Sequence, residues 1–510
     1  MTQGEIEQLP EEVVEIFGSL EKRIMNDIVR RIRINGFSTA SADWQVNRLH
    51  QLGESEDQIR EWTAEALTLS EKELDEIFSD AVYNEFMGHD RAYRVMGKPR
   101  VPYKSNMQLQ SLVAAIKAQT KGTFENITQT LAVGAKGADG RVILTPLMNF
   151  YRETLDNAVL DIESGAFDYQ RVLMRTVKVL KNSGIRTITY DHGPSIRVDA
   201  AVRRAVLTGF RQVQEKINEQ TAADLGTDYY EVSYHVGARP THQPWQGRVY
   251  SWKDLHDICG LGTVTGLHGA NCYHDYNAFI PGVSVRTYTD EQLDQMIDEE
   301  NTPKEYAGKE YTTYEALQEQ RKLERNARAT REEIMMLQEG GSNKDELILA
   351  KARYQGILQV YDDFSEKMGL PTQHERIYLD GLKGKFTPER KVSEERQILL
   401  RKIVSGEITI TLNAAKQEPH MEATKEEGKS YFTIDFSDIQ NIINEKHGTG
   451  RIIISSAGQI KEILDAGKEV GYNIPIGEDG KAKEPEKTKY ILVHYSKRRT
   501  HAVPANPNQE

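Results

Sequence analysis

The sequence predicts a multidomain chain: a mainly α N-terminal region with an irregular α+β section, then a charged helical spacer, then a small α+β domain. Three observations carry this. The chain has 510 residues, enough for two or three domains. Apolar side chains recur at helical spacing through most of 1–180. Beyond about residue 400 short strand-like runs and turn residues replace that period, beginning with the β-branched segment ITITL. Boundaries are placed at 1–285, 286–400 and 401–510.

The elements follow in order. Ile6, Leu9, Val13, Ile16, Phe17, Leu20, Ile24, Ile28 and Ile32 share one face, so 5–34 is read as an amphipathic helix. Helices are expected over 56–66 and 70–86, the second opened by Ser70 as N-cap with Glu73 three residues on. Segments 107–133 and 146–182 read as helical, with a Gly-rich turn at 134–141. Residues 184–198 are β-branched and broken by Gly and Pro; 201–219 return to helix, and 228–236 read as a strand. From 289 to 368 the chain is helical and charged, broken at Gly340-Gly341, as a helical hairpin or spacer would be. In the last unit strands are expected at 408–412, 430–434, 451–454 and 489–495, and helices at 436–446 and 459–465. That is a helix packed on an antiparallel sheet.

Composition excludes several classes. Charged residues are 28% and hydrophobic ones 38%, the balance of a soluble chain with real cores. No run of eighteen apolar residues is present, so no bilayer-spanning helix and no membrane partner are expected. The N-terminus lacks the basic patch and apolar run of a secretory signal. Two cysteines, Cys259 and Cys272, are too few for a disulfide framework, which suits synthesis in a reducing cytosol. Net charge is −12, yet residues 401–510 carry 16 basic and 16 acidic side chains, so the acidic excess lies in 1–400. Within the neutral segment, Lys481, Lys483, Lys487, Lys489, Lys497, Arg498 and Arg499 face only Glu484 and Glu486 between 481 and 501. Such a patch points to phosphate if other signals agree, and otherwise to a solvated lysine face.

Segment 235–282 is dense in Gly, Pro, Trp, His and Cys. It offers His235, His242, His256, Cys259, His268, Cys272 and His274, the donor types zinc takes, with Cys259, Cys272 and His274 as zinc candidates. The spacing fits no regular finger or ribbon. Packing and hydrogen bonding of an irregular loop is the preferred reading, so no cofactor is expected. The residues Ala238-Arg239, His242, Trp245-Gln246-Gly247-Arg248, Gly266-Leu267-His268-Gly269, Asn271-Cys272, His274 and Phe279-Ile280-Pro281-Gly282 make the chain resemble phage minor capsid proteins over roughly 1–380. Ala278 departs from the Pro usual before that Phe. The resemblance implies a head protein in the capsid interior by the portal vertex, made in the bacterial cytoplasm. Portal and major capsid proteins would be its partners.

The last hundred residues resemble the polymorphic toxin type 50 family. The matching residues are Lys416-Gln417, His420, Ser430, Gly448-Thr449-Gly450, Gly471, His494-Tyr495-Ser496-Lys497, Thr500-His501 and Val503-Pro504. The resemblance implies a ribonuclease of the group that holds barnase, colicin and RelE-type nucleases, with RNA as substrate and an immunity protein as partner. Arg499 stands where the family has Gly; a left-handed backbone there would cost Arg about 1 kcal/mol.

Read directly, metal-independent RNA cleavage needs a base for the 2′-hydroxyl, an acid for the departing 5′-oxygen and cations for the phosphorane. His420 and His501 are the expected acid–base pair. His494, Ser496 and Thr500 would orient the phosphate oxygens, Lys416 and Lys497 would stabilise charge, and Lys489, Arg498 and Arg499 would hold the RNA backbone. A single such histidine is more often a surface or capping residue; three in one motif favour function. The competing readings are a purely structural virion protein with an inert or binding C-terminal module and, last, ADP-ribosyl transfer, for which the unit lacks a Glu-x-Glu or Gln-x-Glu setting.

Overall fold

The computed structural model describes residues 3–35, 43–136, 142–163, 169–187, 195–269, 271–378, 380, 382, 386–388, 392–476 and 482–508. The first periodic run is two helices, α1 (Gln3–Gln8) and α2 (Glu11–Asn35), parted at Pro10, which has no N–H to give the helical ladder. Helix α3 (Asp43–Gly88) is continuous where two helices were expected. Ser70 does not cap it. The residue is fully buried in mid-helix, and its hydroxyl donates to the Ala66 carbonyl at 2.6 Å. That internal bond lets the helix pass through a residue that reads as a start.

Helices α4 (Asp90–Val95) and α5 (Met107–Gln129) follow, the latter capped by the Asn106 side chain on the Leu109 N–H. Strands β1 (Leu131–Lys136) and β2 (Val142–Pro146) begin earlier than the sequence suggested; 137–141 lie outside the described residues. After α6 (Leu147–Glu163) and α7 (Tyr169–Ser183) come β3 (Ile185–Thr187), β4 (Ile196–Arg197) and the long α8 (Val198–Leu225). The strands form an antiparallel sheet in the order β2-β1-β3-β4.

The irregular section is a second antiparallel sheet. Strand β5 (Tyr229–Val232) lies between β6 (Val249–Ser251) and β7 (Tyr276–Phe279), with α9 (Trp252–Asp257) after β6. It has its own small core, which includes Trp245, Leu255, Cys259, Leu267, Cys272 and Tyr276. Helix α8 anchors it: Gln214 and Asn218 donate to the Asp275 carboxylate and the Tyr276 carbonyl at 2.8 and 2.5 Å.

Next come α10 (Asp290–Asn301), a hairpin of β8 (Lys304–Tyr306) and β9 (Lys309–Tyr311), α11 (Thr313–Glu339), α12 (Lys344–Met368) and α13 (Glu375–Tyr378). The break between α11 and α12 falls at Gly340-Gly341, as expected. These helices do not stand apart as a spacer. Leu323, Ala327, Ile334, Met336 and Tyr361 are buried in one core with Phe17, Ile24, Val202 and Phe210. Charge on the helices disguised this, because part of it is buried in pairs: Arg197 bridges Glu21 of α2 and Glu332 of α11 at 3.1 and 3.3 Å.

Helix α14 (Glu394–Ser405) joins the halves. Leu400 packs with Leu349, Ala352 and Val392, while Leu399 enters the C-terminal core with Phe432, Ile439, Ile443, Ile491 and Val493. Beyond it are α15 (Ala414–Gln417), a 3-10 turn (Glu418–His420), β10 (Tyr431–Phe432), α16 (Phe436–Lys446), β11 (Arg451–Ile454), β12 (Ile460–Asp465), β13 (Gly471–Asn473), β14 (Glu486–Thr488), β15 (Tyr490–Tyr495) and β16 (His501–Ala505). Two antiparallel sheets result, β11-β12-β15-β16 and β10-β13-β14. Two expectations fail here. Segment 408–412 makes only a single bridge, Thr409 to Ser496. Segment 459–465 is a central strand, not a helix; Ile460, Ile463 and Leu464 have helical spacing but split between its two faces.

Candidate active site

Strand alternation decides which side chains can meet. On β12 and β15, Ile460, Leu464, Ile491, Val493 and Tyr495 face the core that α16 covers. Lys461 and His494 therefore point to the opposite face, and the register pairs Lys461 with His494 and His494 with His501. The two imidazoles stack with centroids 4.7 Å apart and planes 8° apart. His420 also stacks with His501, with centroids at 6.2 Å and planes at 12°. The chain thus gathers a row of three near-parallel rings linked through His501, with Lys461 across from His494.

His420 arrives there because its loop is pinned to the edge of β16. The buried Gln417 side chain donates to the Ala502 carbonyl and accepts from the Ala502 N–H, both at 2.9 Å. It pairs with the strand as a backbone amide would. The sequence reading grouped Gln417 with the motif and gave it no role; its part is to position His420. Lys461 was missed because its strand was read as a helix.

Tautomers follow from the acceptors. His420 Nδ1 donates to the Ser430 carbonyl at 2.9 Å, and His501 Nδ1 donates to the Arg499 carbonyl at 3.2 Å. Each ring keeps Nε2 as a lone pair able to accept a proton. Burial lowers the His420 pKa, with His501 and Lys429 adding to the effect. Burial, with His501, Lys461 and His420 as neighbours, pushes His494 down to about 4. Burial therefore favours the uncharged forms of His420 and His494. Parallel stacked rings cannot aim their lone pairs at one ion.

Other candidate residues lie elsewhere. Thr500 is fully buried; its hydroxyl accepts from the Ser496 N–H at 2.9 Å and donates to the Thr409 carbonyl at 2.7 Å. It closes the turn and cannot touch a phosphate. Ser496 Oγ accepts from the Arg499 N–H at 2.7 Å, a turn role again. Lys497 Nζ donates to the carbonyls of Ala307 and Gly308 at 3.0 and 3.1 Å, docking this unit on the β8–β9 hairpin. Lys489 is paired with Asp465 at 2.8 Å. Lys416, Arg498 and Arg499 are exposed. Arg499 is not among the described residues with left-handed backbone, so the departure from Gly costs no strain there. Lys481 lies outside the described residues.

In the middle section the zinc candidates part company. Cys259 is buried among apolar side chains, with its thiol pushed up to about 12 by that burial. His242, Cys272 and His274 come together instead. His256 Nδ1 donates to the Trp252 carbonyl at 3.0 Å on α9, and His268 stacks on Tyr276.

Comparison with known proteins gives a relative and two family matches. A protein described as a structural protein of Lactococcus phage LL-H is 21% identical over 268 residues, which is 49% of this chain and 70% of the relative. The model of phage minor capsid protein 2 matches residues 1–355, and the chain belongs to that family. Residues 412–504 match the model of bacterial toxin 50, so the histidine row lies in a toxin-family domain. No solved structure matches. Among the described residues no helix is long and apolar enough to cross a membrane.

Proposed function

We propose that this minor capsid protein is carried inside the phage head near the portal, and that its C-terminal unit cleaves RNA without a metal. The observation that carries the chemistry is the row His494, His501, His420, with Nε2 of His420 and of His501 left as acceptors. One ring of the His420–His501 pair takes the 2′-hydroxyl proton as the 2′-oxygen attacks phosphorus. The other, entering protonated, gives a proton to the departing 5′-oxygen. The product is a 2′,3′-cyclic phosphate. His494 and Lys461 lie beside the developing charge, and Lys416, Arg498 and Arg499 hold the strand. Portal and major capsid proteins are the proposed partners of the larger part, and an immunity protein that of the toxin unit.

The test is cleavage of RNA by the full chain in EDTA, with product ends identified. Cyclic phosphate ends are expected, and His501→Ala should reduce the rate by roughly 10²–10⁴ with the fold unchanged. Ends with a free 3′-hydroxyl, or activity that needs magnesium, would overturn the mechanism. A folded chain that cleaves no RNA would leave the unit a structural or binding module.

A further inference from the structure

His242 sits in the turn after β5, and Cys272 and His274 sit just before β7, so two distant loop segments meet at one point. All three residues are buried, at 2%, 5% and 2% exposure. Nδ1 of His242 is 3.4 Å from Nδ1 of His274, and Cys272 Sγ is 3.8 and 3.6 Å from them. Zinc bonds of about 2.05 Å to nitrogen and about 2.3 Å to sulfur, at the tetrahedral angle, put N···N at about 3.4 Å and N···S at about 3.6 Å. The triangle has the dimensions of three corners of a zinc tetrahedron.

The hydrogen bonds around the triangle fix its chemistry. His242 Nε2 lies 2.8 Å from the Thr265 carbonyl, which can only accept, so Nε2 carries the proton. His274 Nε2 lies 2.9 Å from Gln246 Oε1, and that same oxygen accepts from the His235 N–H at 3.0 Å, so it too is an acceptor. Both rings are therefore Nε2–H tautomers. Their Nδ1 lone pairs face each other at 3.4 Å with no hydrogen between them. One thiol proton can satisfy only one of the two. Imidazoles whose far nitrogen is tied to a carbonyl or amide oxygen are the arrangement metal-binding histidines adopt. The Trp245 ring lies against both, at 4.5 and 4.7 Å, and shields the site.

We propose that His242 Nδ1, Cys272 Sγ and His274 Nδ1 bind one zinc ion, with water in the fourth position, clasping the loop after β5 to the strand β7. Binding releases the thiol proton to solvent and leaves thiolate as ligand. This reverses the expectation that the segment is held by packing alone, and it replaces Cys259 by His242 in the ligand set.

The probe is the metal itself, on the full chain purified without added metal. Mass spectrometry of the metal content should find about one zinc per chain. Replacing zinc with cobalt should give a thiolate-to-cobalt charge-transfer band. The band should vanish in Cys272→Ser and persist in Cys259→Ser, since Cys259 lies outside the triangle. Removal of zinc by chelator should lower the melting temperature, because a ligand of the folded state stabilises it. A chain that is metal-free as purified and shows no charge-transfer band on titration with cobalt overturns the proposal. So does a band that survives Cys272→Ser or is lost in Cys259→Ser. If Cys272→Ser fails to fold, the cobalt spectrum of the native chain decides by itself.

Discussion

At the scale of single residues, the histidine row depends on neighbours with no chemistry of their own. Lys461 is one of the groups that hold the His494 pKa down, so Lys461→Ala should raise it from about 4 toward the ordinary value. Titration of the imidazole signals by NMR would show this; an unmoved His494 would mean that the lysine faces away. Thr500 gives a contrasting case. Thr500→Val removes the hydroxyl that the Ser496 N–H and the Thr409 carbonyl use, and should cost about 1–3 kcal/mol of stability. Denaturant melts would measure it, and the folded fraction should keep its cleavage rate. In sequence Thr500 looked like a catalytic residue because it neighbours His501. Its burial, which only the tertiary fold decides, makes it a turn residue.

At the scale of elements, short local patterns were legible where one face met one core. The helices over 11–35, 198–225 and 436–446 and the strands at 451–454 and 490–495 follow their periodicity. Strand β12 did not, because Glu462 is fully buried on it and breaks any apolar alternation. Its carboxylate accepts from the Gly448 and Gly450 N–H groups at 3.0 and 2.8 Å and from the Tyr495 hydroxyl at 2.7 Å. Those donors come from a turn and a strand that no local window contains. The boundary expected at 400/401 falls inside helix α14 for the same reason. The helix is amphipathic on two sides, and only the fold shows that Leu399 serves the C-terminal core. A fragment 392–510 should therefore melt cooperatively, whereas 406–510, which lacks Leu399, should not. In the full chain Leu399→Ala should cost about 2–5 kcal/mol. Equal stability of the two fragments would show that α14 only tethers the unit.

At the scale of the whole molecule, the two halves share a seam that carries charge. His447 lies there, and burial next to Arg353 and Lys181 of the larger part pushes its pKa down to about 4. Its ordinary value is near 6.5, so between pH 6.5 and 4 the unfolded chain binds a proton that the folded chain refuses. This residue's contribution to stability is therefore present above pH 6.5 and lost on acidification through that window, on the order of 1 kcal/mol per pH unit. Melts of the native chain and His447→Asn across this range should diverge with that sign; parallel curves would mean the seam opens before the histidine titrates. The sequence showed the two families but not this seam, since Lys181, Arg353 and His447 are far apart in the chain. One further consequence belongs to the Gln417 amide. An unpaired outer strand is a template on which a second molecule can extend the sheet, the usual start of aggregation. On β16 the amide already occupies the Ala502 N–H and carbonyl. A second strand finds no free N–H or carbonyl at that point, so the same contact that aims a histidine also closes part of this strand's edge.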